Sequence, residues 1–347
     1  MDFRSDNVAG AAPEIMEALV AANAGTASSY GADNLTAKVE ARLSEIFERP
    51  VKAFPVATGT AANALALATL TPPYGAVLCH EEAHIAVDEC GAPEMYSGGA
   101  KVIPMAGAAG KIAPRDLDEK LDKLLTGDVH QVLPKALSLT QATEAGTCYS
   151  PAEVAALAEI AHRRGLKVHM DGARFANAMA HLGVTPAEMT WRAGVDVLSL
   201  GATKNGALAA EAVVFFDPAL AESIGFRQMR AGHLLSKMRF VSAQLEAIFT
   251  GDRWLDYARH ANGMAARLAE GLQRLPAAVL LQPVVINEVF ARLPLDVVAG
   301  LREAGFSFYD WPGAAPGTIR LVTAFNTEPA HVEAFLATAA KLAAAAA

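Results

Sequence analysis

The feature that most constrains this chain is a repeated alternation of short β-like runs with helical stretches. The runs are Ala53–Ala57, Ala76–His80, Lys101–Met105, Lys135–Thr140, Lys167–Asp171, Val197–Ala202 and Ala212–Phe216. Ala- and Leu-rich segments lie between several of them, among them Ala61–Leu70 and Pro151–Arg164. Ser150 is placed to cap the second of these, with Pro151 at the first helical position. Strand, helix and strand in repetition build crossover units, which give a mostly parallel sheet covered on both faces. The expected class is α/β, with a mostly parallel seven-stranded sheet. Ligands of such sheets bind beyond the carboxyl ends of the strands, so function is sought in the turns that follow each run.

After about Phe240 the texture changes. A helical stretch from Val241 to Leu275 leads into short β-like runs at Val279–Pro283, Glu288–Leu293, Phe306–Trp311 and Thr318–Ala324. We expect a large domain over residues 1–245, with its N-terminal segment contributing to the active site, and a small α+β domain over 246–347. The tail Ala339–Ala347 is nearly all Ala and reads as a fraying helix end.

Composition excludes several functions. Lys plus Arg number 29 and Asp plus Glu 37, a net charge of −8 with no basic tract. Nucleic acid and anionic membranes are poor partners for such a surface. No run of about 18 apolar residues predicts a membrane span. Met1–Asn7 carries two Asp and one Arg and does not read as a signal peptide. The three cysteines, Cys79, Cys90 and Cys148, lack CxxC spacing, which fits a reduced, cytoplasmic enzyme.

Three strand-end motifs carry chemistry. Thr58-Gly59-Thr60-Ala61-Ala62-Asn63 follows the first run and opens a helix, whose free amides favour a phosphate. His169-Met170-Asp171-Gly172-Ala173-Arg174 closes the fifth run and puts a carboxylate where a ligand can meet it. Ser199-Leu200-Gly201-Ala202-Thr203-Lys204-Asn205-Gly206 sets a lone Lys in an apolar, Gly-flanked turn. Lys avoids such places unless paired or functional, and desolvation makes it a nucleophile suited to a Schiff base. Singly, each has a plain alternative: a turn that caps, an Asp that caps, a Lys that reaches solvent. Jointly they supply what pyridoxal 5'-phosphate needs: a Lys to tether it, an Asp 33 residues earlier to keep its ring nitrogen protonated, and a phosphate cradle. The Walker and Gly-x-Gly-x-x-Gly patterns are absent. His80-Glu81-Glu82-Ala83-His84 matches His-Glu-x-x-His, but that motif needs a helix, and here a strand runs straight into His80. No metal is expected.

The sequence resembles the threonine aldolase / β-eliminating lyase family of fold-type I pyridoxal phosphate enzymes, which share the aspartate aminotransferase fold. The resemblance spans nearly the whole chain: Phe3-Arg4-Ser5-Asp6-Asn7, Tyr30-Gly31-Ala32-Asp33 with Thr36, Gly59-Thr60, His84, His130, Asp171-Gly172-Ala173-Arg174, Thr203-Lys204 and Ile319-Arg320-Leu321-Val322-Thr323. It is nearest to the low-specificity L-threonine aldolase branch. That implies cleavage of L-threonine, L-allo-threonine and related β-hydroxy-α-amino acids such as phenylserine to glycine and an aldehyde. β-Elimination or transamination on the same scaffold is the alternative.

The resemblance also implies roles. Lys204 tethers the cofactor, Asp171 pairs with its ring nitrogen, Arg174 lies near its phenolic oxygen, and Gly59, Thr60 and Thr203 hold its phosphate. His84 stacks on the ring. Ser5, Arg174 and Arg320 bind the substrate carboxylate, and His84 and His130 lie near the β-hydroxyl. Tyr30 and Arg239 reach a neighbouring subunit's site, because family sites form between subunits of a homodimer or homotetramer. Two departures stand out: Thr140-Gln141-Ala142-Thr143-Glu144 replaces an Asn-Thr-His-like turn, and the Lys context is Gly-Ala-Thr-Lys-Asn-Gly rather than Ser-Lys-Gly.

Overall fold

A computed structural model describes residues 1–346 of the chain. The large sheet is built from β1 (Lys52–Val56), β2 (Gly75–His80), β3 (Lys101–Met105), β4 (Leu133–Thr140), β5 (Lys167–Gly172), β6 (Val197–Gly201) and β7 (Glu211–Phe215). Their order is β1-β7-β6-β5-β4-β2-β3. The pairs β6–β5, β5–β4, β4–β2 and β2–β3 are parallel. β7 runs antiparallel to both its neighbours. The reason is length: only Ala202–Ala210 joins β6 to β7, too short for the dozen or more residues a parallel crossover needs. That short return is the segment carrying Lys204.

β2, β6 and β7 are buried along their whole length, as strands covered on both faces must be. The helix Gly59–Leu70 is apolar on every side and buried at eight positions, so it is an interior helix of the sheet's packing layer. The helix Pro151–Arg163 has the capping box that Ser150 and Glu153 allow.

A second sheet holds β8 (Val279–Leu280), β9 (Glu288–Arg292), β10 (Tyr309–Asp310) and β11 (Thr318–Val322) in the antiparallel order β10-β11-β9-β8. Its core gathers Phe3, Phe306, Phe308 and Phe335, with the Phe3 and Phe335 ring centroids 5.5 Å apart. The N-terminus is stapled here: Phe3 N–H donates to Ser307 O, and Val322 N–H to Phe3 O, both at 2.8 Å. This anchorage carries Ser5–Asn7 toward the large sheet.

The structure differs from the sequence reading in three elements, one being the run Val279–Pro283, of which only Val279 and Leu280 pair as a strand. The stretch Val241–Leu275 is two helices, Arg239–Phe249 and Arg253–Leu272. Thr250 is extended and Gly251 has φ +62°, a left-handed conformation that breaks the first helix. The second helix begins in the large core at Trp254 and Ala258 and ends in the small core at Leu268 and Leu272. Of the run Phe306–Trp311, only Tyr309 and Asp310 pair as a strand. The C-terminal helix runs from Pro329 to Ala346, and the last residue of the Ala-rich tail, Ala347, lies outside the described residues.

Candidate active site

The turns at the carboxyl ends of β1, β5 and β6 converge on one cavity of about 280 Å³. After β1, Thr58 caps the interior helix: its Oγ1 accepts from Ala61 N–H at 3.2 Å. Gly59 and Thr60 line the cavity in that first helical turn, where amides lack intrahelical acceptors. After β5, Asp171 is buried at 4% exposure and its Oδ1 accepts from Ala173 N–H at 3.0 Å. After β6, a single 3₁₀ turn, Thr203–Asn205, presents half-buried Lys204 to the same space. Asn205 anchors that turn by donating to Trp254 O at 2.8 Å. Gly206 closes it with φ +102°, and a Cβ there would lie 3.0 Å from the Tyr257 ring, so only Gly fits.

A polar relay ties the wall together. His84 Nδ1 lies 2.8 Å from Glu89 Oε1. That oxygen also accepts from Asn63 Nδ2 at 2.8 Å, and the same Nδ2 donates to Asp171 Oδ2 at 2.8 Å. The hydrogen bond to Glu89 raises the basicity of His84. Glu211 lies on the Lys204 side, where its Oε2 accepts from Ala202 N–H at 3.1 Å. Burial pushes the Glu211 carboxyl up to about 7.

Beside the cavity stands a buried ionic cluster. Arg174 grips Asp6 with Nε and Nη2 at 2.8 and 3.1 Å, and Asn287 Nδ2 donates to the same carboxylate at 3.1 Å. Glu288 Oε1 lies 3.4 Å from Arg174 Nη2 and 3.7 Å from Arg320 Nη1. Arg320 also packs against the Tyr309 and Trp311 rings, 5.7 and 5.6 Å from their centroids.

The structure thus brings Gly59, Thr60, His84, Asp171, Thr203 and Lys204 onto one cavity wall. Ser5, Arg174 and Arg320 are not on that wall. Arg174 follows Ala173, which is, and Ser5 comes two residues before Asn7, which is. His130 is not brought to this cavity. It sits on an exposed turn, its side chain 86% exposed and its Nδ1 2.7 Å from Asp128 Oδ1. Tyr30 is exposed with φ 56°, and Arg239 opens a helix and reaches Gly25 O at 3.4 Å; neither lines the cavity.

Sequence reasoning gave no role to Asn63, Glu89, Glu144 or Glu211, all on the cavity wall. Two of them left a signal: Asn63 is the one amide in a helix whose other polar side chains are only Thr60 and Thr69, and Glu211 opens a fully buried strand. His80 and His84 do not share a helix. His80 ends β2, its Nε2 3.1 Å from Gly107 O and its Nδ1 accepting from Glu82 N–H, while His84 starts a separate short helix. Among the described residues no cluster of three His, Cys, Asp or Glu is arranged to hold a metal.

The donor set fits pyridoxal phosphate. A buried carboxylate, an amine and a helix N-terminus face one cavity, and the buried Asn63 Oδ1 and Glu89 Oε2 lack hydrogen-bond partners among the described residues.

Comparison with known proteins agrees. The profile of the beta-eliminating lyase family matches residues 2–294. A low specificity L-threonine aldolase from Pseudomonas aeruginosa is 43% identical over 326 residues, 94% of this chain and 93% of that one. The structure of a Leishmania major threonine aldolase superposes with a TM-score of 0.92 at 28% identity, covering 99% of both chains. A serine palmitoyltransferase from Sphingomonas wittichii, at 17% identity and TM-score 0.75, covers 99% of this chain and 87% of its own and shares the fold alone. The strand-end chemistry, the sheet order and these likenesses lead to one conclusion: the chain belongs to the beta-eliminating lyase family, whose cofactor is pyridoxal 5'-phosphate.

Proposed function

We propose that the chain cleaves L-threonine, L-allo-threonine and related β-hydroxy-α-amino acids to glycine and an aldehyde. The observation that carries this reading is the single cavity wall on which Lys204, Asp171 and His84 meet, with His84 tied to Asp171 through Glu89 and Asn63. The bound cofactor supplies an electron sink for the pair released when the Cα–Cβ bond breaks. The protein's own groups do the rest. Lys204 Nζ would hold the cofactor covalently, since it is the amine that lines the cavity. Asp171 keeps a proton on the ring nitrogen, and Asn63 fixes its carboxylate in place. Gly59, Thr60 and Thr203 hold the phosphate, and Ser5, Arg174 and Arg320 orient the substrate carboxylate. Holding the carboxylate in one place would decide which bond at Cα is broken, and so favour Cα–Cβ cleavage over racemisation or transamination.

We assign proton transfer from the β-hydroxyl to His84 Nε2, because Nδ1 is engaged by Glu89 and the raised basicity suits a proton acceptor. His130 reaches such a position only from a neighbouring copy, which its exposure permits. Tyr30 and Arg239 are assigned to the same kind of contact, and a homodimer or homotetramer follows from that reading. We infer a cytoplasmic location from three free cysteines; no helix among the described residues is long and apolar enough to cross a membrane. The separate apolar clusters of the two sheets support two units, and the large one extends past the proposed division at residues 245 and 246 to take in Ile248, Phe249, Trp254 and Ala258.

The test is product analysis with threonine, phenylserine and serine, for the wild type and Lys204→Ala. Glycine plus the matching aldehyde, lost in Lys204→Ala together with borohydride-fixed cofactor mass, is the expected outcome. Ammonia and an oxo acid from serine or threonine would indicate elimination instead, and an amino group passed to the cofactor would indicate transamination.

A further inference from the structure

Glu288 is an unusual presence in this fold. It stands on β9 with 1% exposure, and neither carboxylate oxygen has a hydrogen-bond partner among the described residues. Burying a carboxylate without donors is costly, and such groups persist when opposite charges hold them. Two arginines do so here, Arg174 at 3.4 Å and Arg320 at 3.7 Å, both facing the same oxygen, Oε1. Neither contact is a close, aligned pair. Arg174 spends its Nε and Nη2 on Asp6, and Arg320 donates its Nη2 to Arg4 O at 3.3 Å. Arg320 Nε has no partner among the described residues.

The cluster of Arg174, Arg320, Asp6 and Glu288 is therefore electrically balanced before any substrate arrives. The substrate carboxylate, on the reading given above, must use the same two arginines. It enters as a third anion among two cations, with Glu144 a further carboxylate close enough to act on both Glu288 and Arg174. Burial pushes the Glu288 carboxyl up, and the arginines work against that.

We propose that Glu288 is a built-in competitor for the substrate carboxylate, occupying Arg174 and Arg320 in the substrate-free enzyme and setting how tightly the site holds an amino acid. This rests on the assignment of those arginines to the carboxylate. Removing the Glu288 charge while keeping its shape leaves a net positive cluster complementary to one incoming anion. A ligand without a carboxylate does not feel the change.

The experiment compares wild-type holoenzyme with Glu288→Gln by calorimetric titration with glycine and with ethylamine, and by KM and kcat for threonine. The expected result is glycine affinity tightened roughly 3- to 10-fold and KM lowered in step, as fits removal of a competing charge at a partly buried site. Ethylamine affinity and kcat stay within about twofold. Glycine affinity that is unchanged or weaker in a folded variant overturns the proposal, as does an equal gain for ethylamine. Should Glu288→Gln fail to fold, Glu288→Met removes the charge at similar length and must show the same selective gain. The two readings fail separately. A wild-type holoenzyme that binds no glycine removes the proposed function and this inference with it, whereas a wild type that binds glycine beside a variant with no selective gain removes the inference alone.

Discussion

Asn63 Nδ2 lies 2.8 Å from Asp171 Oδ2 while also lying 2.8 Å from Glu89 Oε1, so one amide nitrogen joins the Asp171 carboxylate on the cavity wall to the one behind His84. Both acids are buried, at 4% and 4% exposure. Without the amide they would face each other with no donor between them. Asn63→Ala should weaken cofactor binding and cost about 1–3 kcal/mol of stability, the penalty for stranding buried acceptors. Cofactor titration and thermal unfolding of the variant check this. Asn63→Leu should be at least as damaging, since it supplies no donor and adds bulk.

Glu89 sets the proton affinity of His84. On the proposed role His84 accepts a proton when neutral, so activity should rise with pH through its pKa, which Glu89 holds above the usual value. Glu89→Gln removes the charge, lowers the His84 pKa and moves the acidic limb of the kcat/KM profile to lower pH. The weaker base should also reduce the plateau rate by roughly 10-fold. A limb that stays in place would take His84 out of the proton-transfer role.

His169 tests the sheet rather than the chemistry. It is fully buried between Ser138 and Ser199, with both hydroxyls 2.9 Å from its ring nitrogens. Burial lowers its pKa from 6.5 to about 4. The unfolded chain therefore takes up the proton first, so this contribution is complete above pH 6.5 and is lost as pH falls toward 4. The gap in unfolding free energy between wild type and His169→Gln should shrink by up to ~2 kcal/mol between neutral pH and about pH 5. Denaturant melts at the two pH values measure it.

His130 carries the opposite expectation. Its exposed turn makes no contact with the cavity, so His130→Ala should leave cofactor affinity unchanged and stability within about 0.5 kcal/mol. Any loss of kcat in that variant would then arise from a neighbouring copy. Mixing it with a Lys204→Ala chain to form hybrid oligomers would restore activity if a site takes Lys204 from one chain and His130 from another.

The order of strands and helices, and the turns that bear Gly59, Asp171 and Lys204, could be read from local pattern alone. Hydrophobic period and turn residues act over a few positions, and strand ends are where parallel sheets place ligands. Local pattern could not show that Val241–Leu275 breaks at Gly251, because a single left-handed residue leaves the apolar spacing almost unchanged. Nor could it bring together Asn63, Glu89 and Asp171, or Asp6, Arg174, Glu288 and Arg320. These partners lie up to hundreds of positions apart, and only the sheet order and the stapling of Phe3 to the small sheet make them neighbours. Charges in a buried cluster derive their meaning from distance and desolvation, and both are set by the folded chain. The turn that carries Lys204 was thus written in the sequence, while the company that Arg174 and Arg320 keep was decided by tertiary packing.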